Sequence, residues 1–355
     1  MKRKLSALIL AVVILCGVLL GGCAKDTAIS GVSPENHKQV VIINDDMYDF
    51  FTNYEYGYSK KYAKEVNNFA PLEVVLSWNT PKNPLKCEVF VSTDKNLKDA
   101  EVYETCDNDV ALKNLFANTE YFWQVKVYYD NKTETSKIYN FKTADTCRTV
   151  SIDHVVNTRD LGGQRTLYGK RIKQGMIYRG ANVDGISEQG KYTFTQELGI
   201  KFDLDLRPDG EGLAGRGVSP SGCERYKNFD APLYLGIRDK YEALRDEIKV
   251  FTDESNYPVY FHCQIGRDRT GTLGFFLGCI LGVPEQFLYR EYETSSFNSL
   301  GGNDPMGLLD GNLKPMVNYL DDYEGRTVNE RAANYLKTIG VTDDDMNKIR
   351  SIMLE

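Results

Sequence analysis

Histidine is scarce in this chain of 355 residues: there are three, His37, His154 and His262. Three scattered imidazoles do not make a histidine metal centre, so no metal is expected, and no motif asks for an organic cofactor. Positive charge is also short, with 43 Lys and Arg against 50 Asp and Glu, a net charge of −7. An acidic chain is a poor nucleic-acid binder, and no nucleic-acid partner is expected. Internal repeats and low-complexity tracts are absent, which removes repeat arrays. Long apolar runs are missing except near the start, and the apolar run 270–281 is too short to span a bilayer. The eight cysteines lack metal-like spacing.

What is there begins with residues 1–22. Lys2-Arg3-Lys4 precedes the apolar run 5–20, which ends in Leu20-Gly21-Gly22-Cys23. Basic, apolar and small residues in that order predict a secretory signal peptide. Without those three cations the remainder carries −10. The small pair followed by cysteine resembles a bacterial lipobox. The resemblance implies that Cys23 becomes the lipid-bearing first residue, with the protein held by the bilayer on the outer face of the cytoplasmic membrane. A plain transmembrane anchor is the rival reading. Setting aside Cys16, Cys23 and Cys263 leaves Cys87, Cys106, Cys147, Cys223 and Cys279, an odd number. Separate buried thiols are favoured over a Cys87–Cys106 bridge.

Residues 24–66 form a polar, aromatic lead-in or insertion, open to assignment with the β module that follows. Within it, 47–66 reads as a helix or an ordered insertion. Residues 67–145 read as all-β. Leu72 to Trp78, Cys87 to Val91 and Tyr121 to Tyr128 alternate apolar with polar, and turn residues separate them at sandwich-like intervals. Leu76-Ser77-Trp78, Asn118 to Trp123 and Phe141-Lys142-Thr143 together resemble a fibronectin type III module. That resemblance implies an Ig-like sandwich with Trp78 in its core and Tyr121 bonded to the backbone upstream. A spacer or positioning domain is the favoured role.

From 147 to 355 the pattern changes to strand, helix, strand, an α/β domain with a mainly parallel sheet flanked by helices. Its centre is Tyr260-Phe261-His262-Cys263-Gln264-Ile265-Gly266-Arg267-Asp268-Arg269-Thr270-Gly271. A short apolar strand delivers a cysteine. Backbone N–H groups of 264–269 can form an anion nest, and the helix beginning near Arg269 adds its positive end. That field favours an anionic sulfur on Cys263. Arg269 can grip two phosphate oxygens with its planar fork. Thr270 can donate to the sulfur, and Gly266 lets the chain turn close to a ligand.

This string resembles the signature of the cysteine-dependent tyrosine phosphatases, His-Cys-(five residues)-Arg-Ser/Thr. Its ending is most similar to the bacterial tyrosine/dual-specificity branch with Gly-Lys-Asp-Arg-Thr-Gly, which includes phosphoinositide-active members. Arg267 stands where that branch has lysine. Asn157-Thr158-Arg159-Asp160-Leu161-Gly162-Gly163 resembles an element of the same branch, with Thr158 replacing an aromatic, and Tyr178-Arg179-Gly180-Ala181 resembles its next strand end. Substrate is then expected at Gln264, Ile265, Gly266, Arg267, Asp268 and Arg269. Cys263 is the expected nucleophile, and His262, Arg159 and Asp160 support the site.

A phenolate leaving group has a conjugate acid of pKa about 10, so an acid must assist its departure. Asp268 is the first choice and Asp205, at the end of a predicted strand, the second. The stretch 209–222 reads as a loop, 299–326 as a candidate lid, and 331–354 as two helices broken at Gly340 with Thr342 as cap. The expected activity is hydrolysis of phosphotyrosine through a phosphocysteine. The alternatives are a phosphoinositide or inositol-phosphate phosphatase using the same loop, or a surface binding protein. A phosphorylated protein or a phosphoinositide is the expected partner.

Overall fold

The computed structural model describes residues 29–62, 69–298 and 309–355. The signal segment, Cys23 and part of the lid candidate lie outside the described residues. The chain divides into two units, Met1–Ile42 with Leu72–Asp145, and Ile43–Pro71 with Thr146–Glu355. The lead-in is therefore split: its stretch from Ile43 onward belongs to the second unit.

The first unit is built of strands. One sheet has the order β1 (Ser30–Ser33), β3 (Val74–Asn79), β6 (Asp109–Leu112). The other runs β2 (Lys38–Val40), β9 (Tyr139–Thr143), β7 (Glu120–Tyr129), β4 (Lys86–Ser92), β5 (Glu101–Thr105), with β8 (Lys132–Thr135) also on β7. Period-two alternation sends Tyr121, Trp123, Val125 and Val127 of β7 into one core with Val74, Leu76 and Trp78 of β3. The Trp78 and Trp123 rings lie 6.3 Å apart there. The Tyr121 hydroxyl accepts the backbone N–H of Phe116 at 2.7 Å. Cys87 is buried, Cys106 is exposed, and both are free thiols.

The second unit has a five-stranded sheet. Its order is β10 (Arg159–Asp160), β11 (Ile177–Gly180), β14 (Val259–His262), β12 (Phe202–Asp205), β13 (Arg225–Asn228). Only β10 runs antiparallel to its neighbour. This is the mainly parallel sheet that the sequence predicts. Among the described residues the α-helices are α1 (Asp45–Thr52), α2 (Glu188–Tyr192), α3 (Tyr241–Val250), α4 (Asp268–Leu281), α5 (Glu285–Glu293), α6 (Lys314–Tyr319), α7 (Val328–Thr338) and α8 (Asp343–Met353).

β14 sits between β11 and β12, and α4 follows it directly. Every residue of α4 from Thr270 to Leu281 is buried, so the helix is a core element with no polar face. Thr342 caps α8 in a reciprocal capping box with Asp345. The lid expectation is corrected where it can be seen: Leu309, Leu313, Met316, Val317 and Leu320 are core residues, because their apolar side chains find more contact inside than over a polar mouth.

Candidate active site

The end of β14 places His262 and Cys263, both buried, at the carboxyl edge of the parallel strands, where such sheets gather their sites. The loop that follows is held from outside by its carbonyls. The Gln264 carbonyl accepts from Asn182 Nδ2 at 2.9 Å. Those of Ile265 and Gly266 accept from Asn157 Nδ2 at 3.0 and 3.1 Å, and Gly266 also from Arg179 Nη2 at 2.7 Å. A trans peptide points its N–H opposite to its C=O. With three successive carbonyls tied outward, the amides of 265–267 turn to the inner side of the loop, as an anion nest requires.

Gly266 makes the turn possible. Its φ is +74°, and a Cβ there would lie 2.3 Å from the carbonyl carbon and oxygen of Gly180. Only glycine fits this crossing.

Arg269 stands in the first turn of α4. Its two terminal nitrogens meet the Glu211 carboxylate at 3.1 and 3.0 Å, an end-on fork. Glu211 comes from the loop 209–222, which is tied down at further points. Leu213 N–H donates to Asp184 Oδ2 at 3.0 Å, and Ser219 Oγ donates to Asp203 Oδ2 at 2.5 Å. Gly212 permits the first of these: a Cβ there would lie 2.2 Å from Asp184 Oδ2.

Thr270 is fully buried, and its hydroxyl has no hydrogen-bond partner among the described residues. Arg267 is buried too, with Nε and Nη1 likewise unpartnered and Nε 3.6 Å from Asp268. The side chain of Gln264 accepts from Arg207 Nη1 at 3.3 Å.

The two candidate acids fare differently. Asp268 is part-exposed, and its Oδ1 accepts a short bond from the Tyr234 hydroxyl. Tyr234 is in turn 2.5 Å from the Tyr292 hydroxyl. Burial drives the Tyr234 hydroxyl far up, so it stays protonated and donates. Asp205 is corrected. It is buried, and both its oxygens accept from Arg207, at 2.9 and 2.7 Å. Burial alone would raise its carboxyl, but the Arg207 bonds and the nearby His262 outweigh burial and hold it below its ordinary value. A carboxylate bound on both oxygens in this way positions Arg207, an arrangement that favours Asp268 over Asp205 as proton donor.

Arg159 and Asp160 act as scaffold. Arg159 donates to Glu291 Oε1 at 2.7 Å and to Asn157 Oδ1 at 2.6 Å, which fixes the amide that holds the loop. Asp160 pairs with buried Arg148 at 2.9 Å and accepts the N–H groups of Gly162 and Gly175. Glu291 on α5, which the sequence reading did not single out, lies between Arg159 and Arg179, with Arg179 Nη1 at 2.5 Å. Burial would raise its carboxyl, yet the two guanidiniums lower it. Arg179 is pulled down to about 10, by burial first and then by Arg159. Nothing local marks Glu291 or Glu211, since each reads as one more acidic residue on a polar face or loop. No cluster of metal ligands occurs among the described residues.

The chain is similar to several known proteins. A candidate tyrosine-protein phosphatase of Cupriavidus necator is 26% identical over 178 residues, covering 41% of this chain and 63% of that protein. The chain thus spans less than two thirds of that relative. Inositol diphosphatase DSP4 of Arabidopsis thaliana is 28% identical over 148 residues, covering 39% of this chain and 70% of that protein. The core catalytic domain of the PP-IP phosphatase SIW14 from S. cerevisiae, solved with citrate, aligns at 15% identity and a TM-score of 0.28, over 41% of this chain and 86% of that one. The family model for the tyrosine phosphatases matches residues 150–355, more than half of the chain and the whole of the site, and the chain belongs to the tyrosine phosphatase family.

Proposed function

We propose that the second unit hydrolyses phosphate monoesters through a phosphocysteine, with phosphotyrosine as the substrate class. The observation that carries this reading is the outward anchoring of the carbonyls of Gln264, Ile265 and Gly266 between Cys263 and Arg269. It leaves a cup of amides with a sulfur at its base.

The Cys263 thiolate attacks phosphorus, an S–P bond forms, and the ester P–O bond breaks. The loop amides and the free side of the Arg269 guanidinium take the equatorial oxygens. The leaving oxygen receives a proton from Asp268, held by Tyr234. Asp268 then takes a proton from water, the water oxygen bonds to phosphorus, and the S–P bond breaks. Phosphate leaves and the thiolate returns.

A second reading has one observation in its favour. The buried Nε and Nη1 of Arg267, which lack hydrogen-bond partners among the described residues, would suit the additional oxygens of a multiply phosphorylated ring. The name of the Arabidopsis relative points the same way. The test is a side-by-side assay of phosphotyrosine peptide, phosphoserine peptide, phosphoinositide and phytate. Turnover of the first, lost by more than a thousandfold in Cys263→Ser, supports the reading. Turnover confined to inositol phosphates moves the substrate class to the second reading. Activity retained in Cys263→Ser sinks the mechanism.

The proposal extends to cell location: export through residues 1–22, attachment to the bilayer by a lipid on Cys23, and the first unit as a fibronectin-like spacer. The support is the sequence Lys2-Arg3-Lys4, the apolar run and Leu20-Gly21-Gly22-Cys23. Cys23→Ala should release the protein from the membrane fraction; an unchanged distribution would reject the anchor.

A further inference from the structure

Asp203 is an acidic residue in the middle of β12, a parallel strand whose four residues are all buried. Parallel strands of this kind are ordinarily apolar on both faces. A buried carboxyl there is costly unless something opposes it. Its oxygens have two neighbours. Oδ1 lies 2.9 Å from Nε2 of His262, the residue before the nucleophile. At that distance a carboxylate and an imidazolium attract each other strongly. Oδ2 accepts the Ser219 hydroxyl at 2.5 Å, and Ser219 Oγ lies 2.6 Å from Ser221 Oγ. Both serines belong to the loop that brings Glu211 to Arg269.

We propose that Asp203 is a positioning residue of the reaction, holding His262 as a cation beside Cys263 and tying that cation through Ser219 to the loop 209–222. This rests on the phosphatase reading above.

The charges around the imidazole agree. Asp203 and Asp205 face it from β12, at 2.9 Å and 3.9 Å. Arg207 opposes them from just beyond that strand, and Asp184 stands behind Arg207. From its own strand the Tyr260 ring lies 5.6 Å away, and the Cys263 carbonyl is 3.3 Å from Nδ1. Burial by itself would lower the imidazole, but the charge of Asp203 overrides it and the group rises to about 9. The carboxylate 2.9 Å away thus favours the protonated imidazole, and that carboxylate comes from outside the Cys-to-Arg loop.

The test uses the full chain labelled with ¹⁵N-histidine, in which only three imidazoles need assignment. In the wild type His262 should remain protonated through pH 8; an imidazole neutral at pH 7.5 overturns the proposal. In Asp203→Asn its titration should fall by at least one pH unit. The basic limb of kcat/KM on a phosphomonoester should move down by the same interval. A profile that keeps its shape while the rate falls uniformly would reduce Asp203 to a packing residue. Should Asp203→Asn fail to fold, the wild-type titration still decides the first half. Ser219→Ala decides the second: amide exchange across 209–222 should rise several-fold, and unchanged exchange overturns the link. Titration and exchange need no substrate, so an inactive wild type would sink the phosphatase reading and leave these results standing.

Discussion

Arg179 donates from Nη2 to the carbonyl of Gly266 at 2.7 Å, reaching the loop 263–269 from the strand next to the one that delivers Cys263. Its other terminal nitrogen is on Glu291, which also holds Arg159. A single carboxylate thus fixes both guanidiniums beneath the loop.

Arg179→Ala should therefore cost about 2–4 kcal/mol, because it leaves a part-buried carboxylate half-compensated. Arg179→Lys keeps the charge and loses the fork, so it should retain more stability while kcat/KM falls by roughly ten- to a hundredfold. Urea unfolding alongside steady-state kinetics checks both. Equal rates in Arg179→Lys and wild type would show that the Gly266 bond does not shape the nest.

Gly266→Ala should fold with a displaced loop. The new Cβ has nowhere to go at φ +74° without moving Gly180. Strain of about 1–3 kcal/mol and a loss of kcat/KM beyond a hundredfold are expected. Near-normal kinetics would mean that the crossing relaxes at little cost.

Glu293 ties residues 54–59 to the rest of the second unit. It accepts Tyr54 Oη at 2.6 Å, Gly57 N at 2.9 Å, and Ser59 N and Oγ at 3.1 and 2.7 Å. The Phe50 and Phe297 rings pack 5.1 Å apart beside it. Glu293→Ala leaves these donors unsatisfied and should lower stability by about 2–4 kcal/mol. Because Glu291 lies two residues away, activity should fall as well. A thermal melt matching the wild type would show that residues 43–62 are dispensable.

Glu247 predicts a pH dependence with the opposite sign to an ion-paired acid. It is buried, and its Oε1 has no partner among the described residues. Burial, then Asp246 and Asp230, push its carboxyl up to about 8, against an ordinary value of 4.5. Between those values the folded state binds more protons than the unfolded state, so stability falls as pH rises from 4.5 to 8. Glu247→Gln should remove that slope and raise stability at pH 8 by roughly 1–3 kcal/mol. Melting curves at pH 5 and pH 8 test it: a variant no more stable than wild type at pH 8 refutes the assignment.

Cys263, Gly266, Arg269 and Thr270 stand out in the sequence because the roles proposed for them depend on covalent neighbours. A strand end, a tight turn and a helix start succeed one another within eight residues. The buried helix 270–281 and the Thr342 cap were legible for the same local reason. The reading failed where charge decides. Asp205 looked like a proton donor at a strand end, and only the arrangement of Arg207 around it shows a locked carboxylate. The glycines of 209–222 signalled a loop but not what that loop carries. Residues 43–62 looked like a lead-in because their partner, Glu293, is more than 230 residues away in sequence.

By itself, the order of residues determined an α/β frame in which a strand-end cysteine is followed six residues later by an arginine at a helix start. The tertiary structure decided which carboxylates face those groups. Asp203, Glu211 and Glu291 come from a strand, a loop and a helix that share no local pattern with Cys263. Long-range pairing of charges depends on distance in space, and spacing along the chain does not encode it.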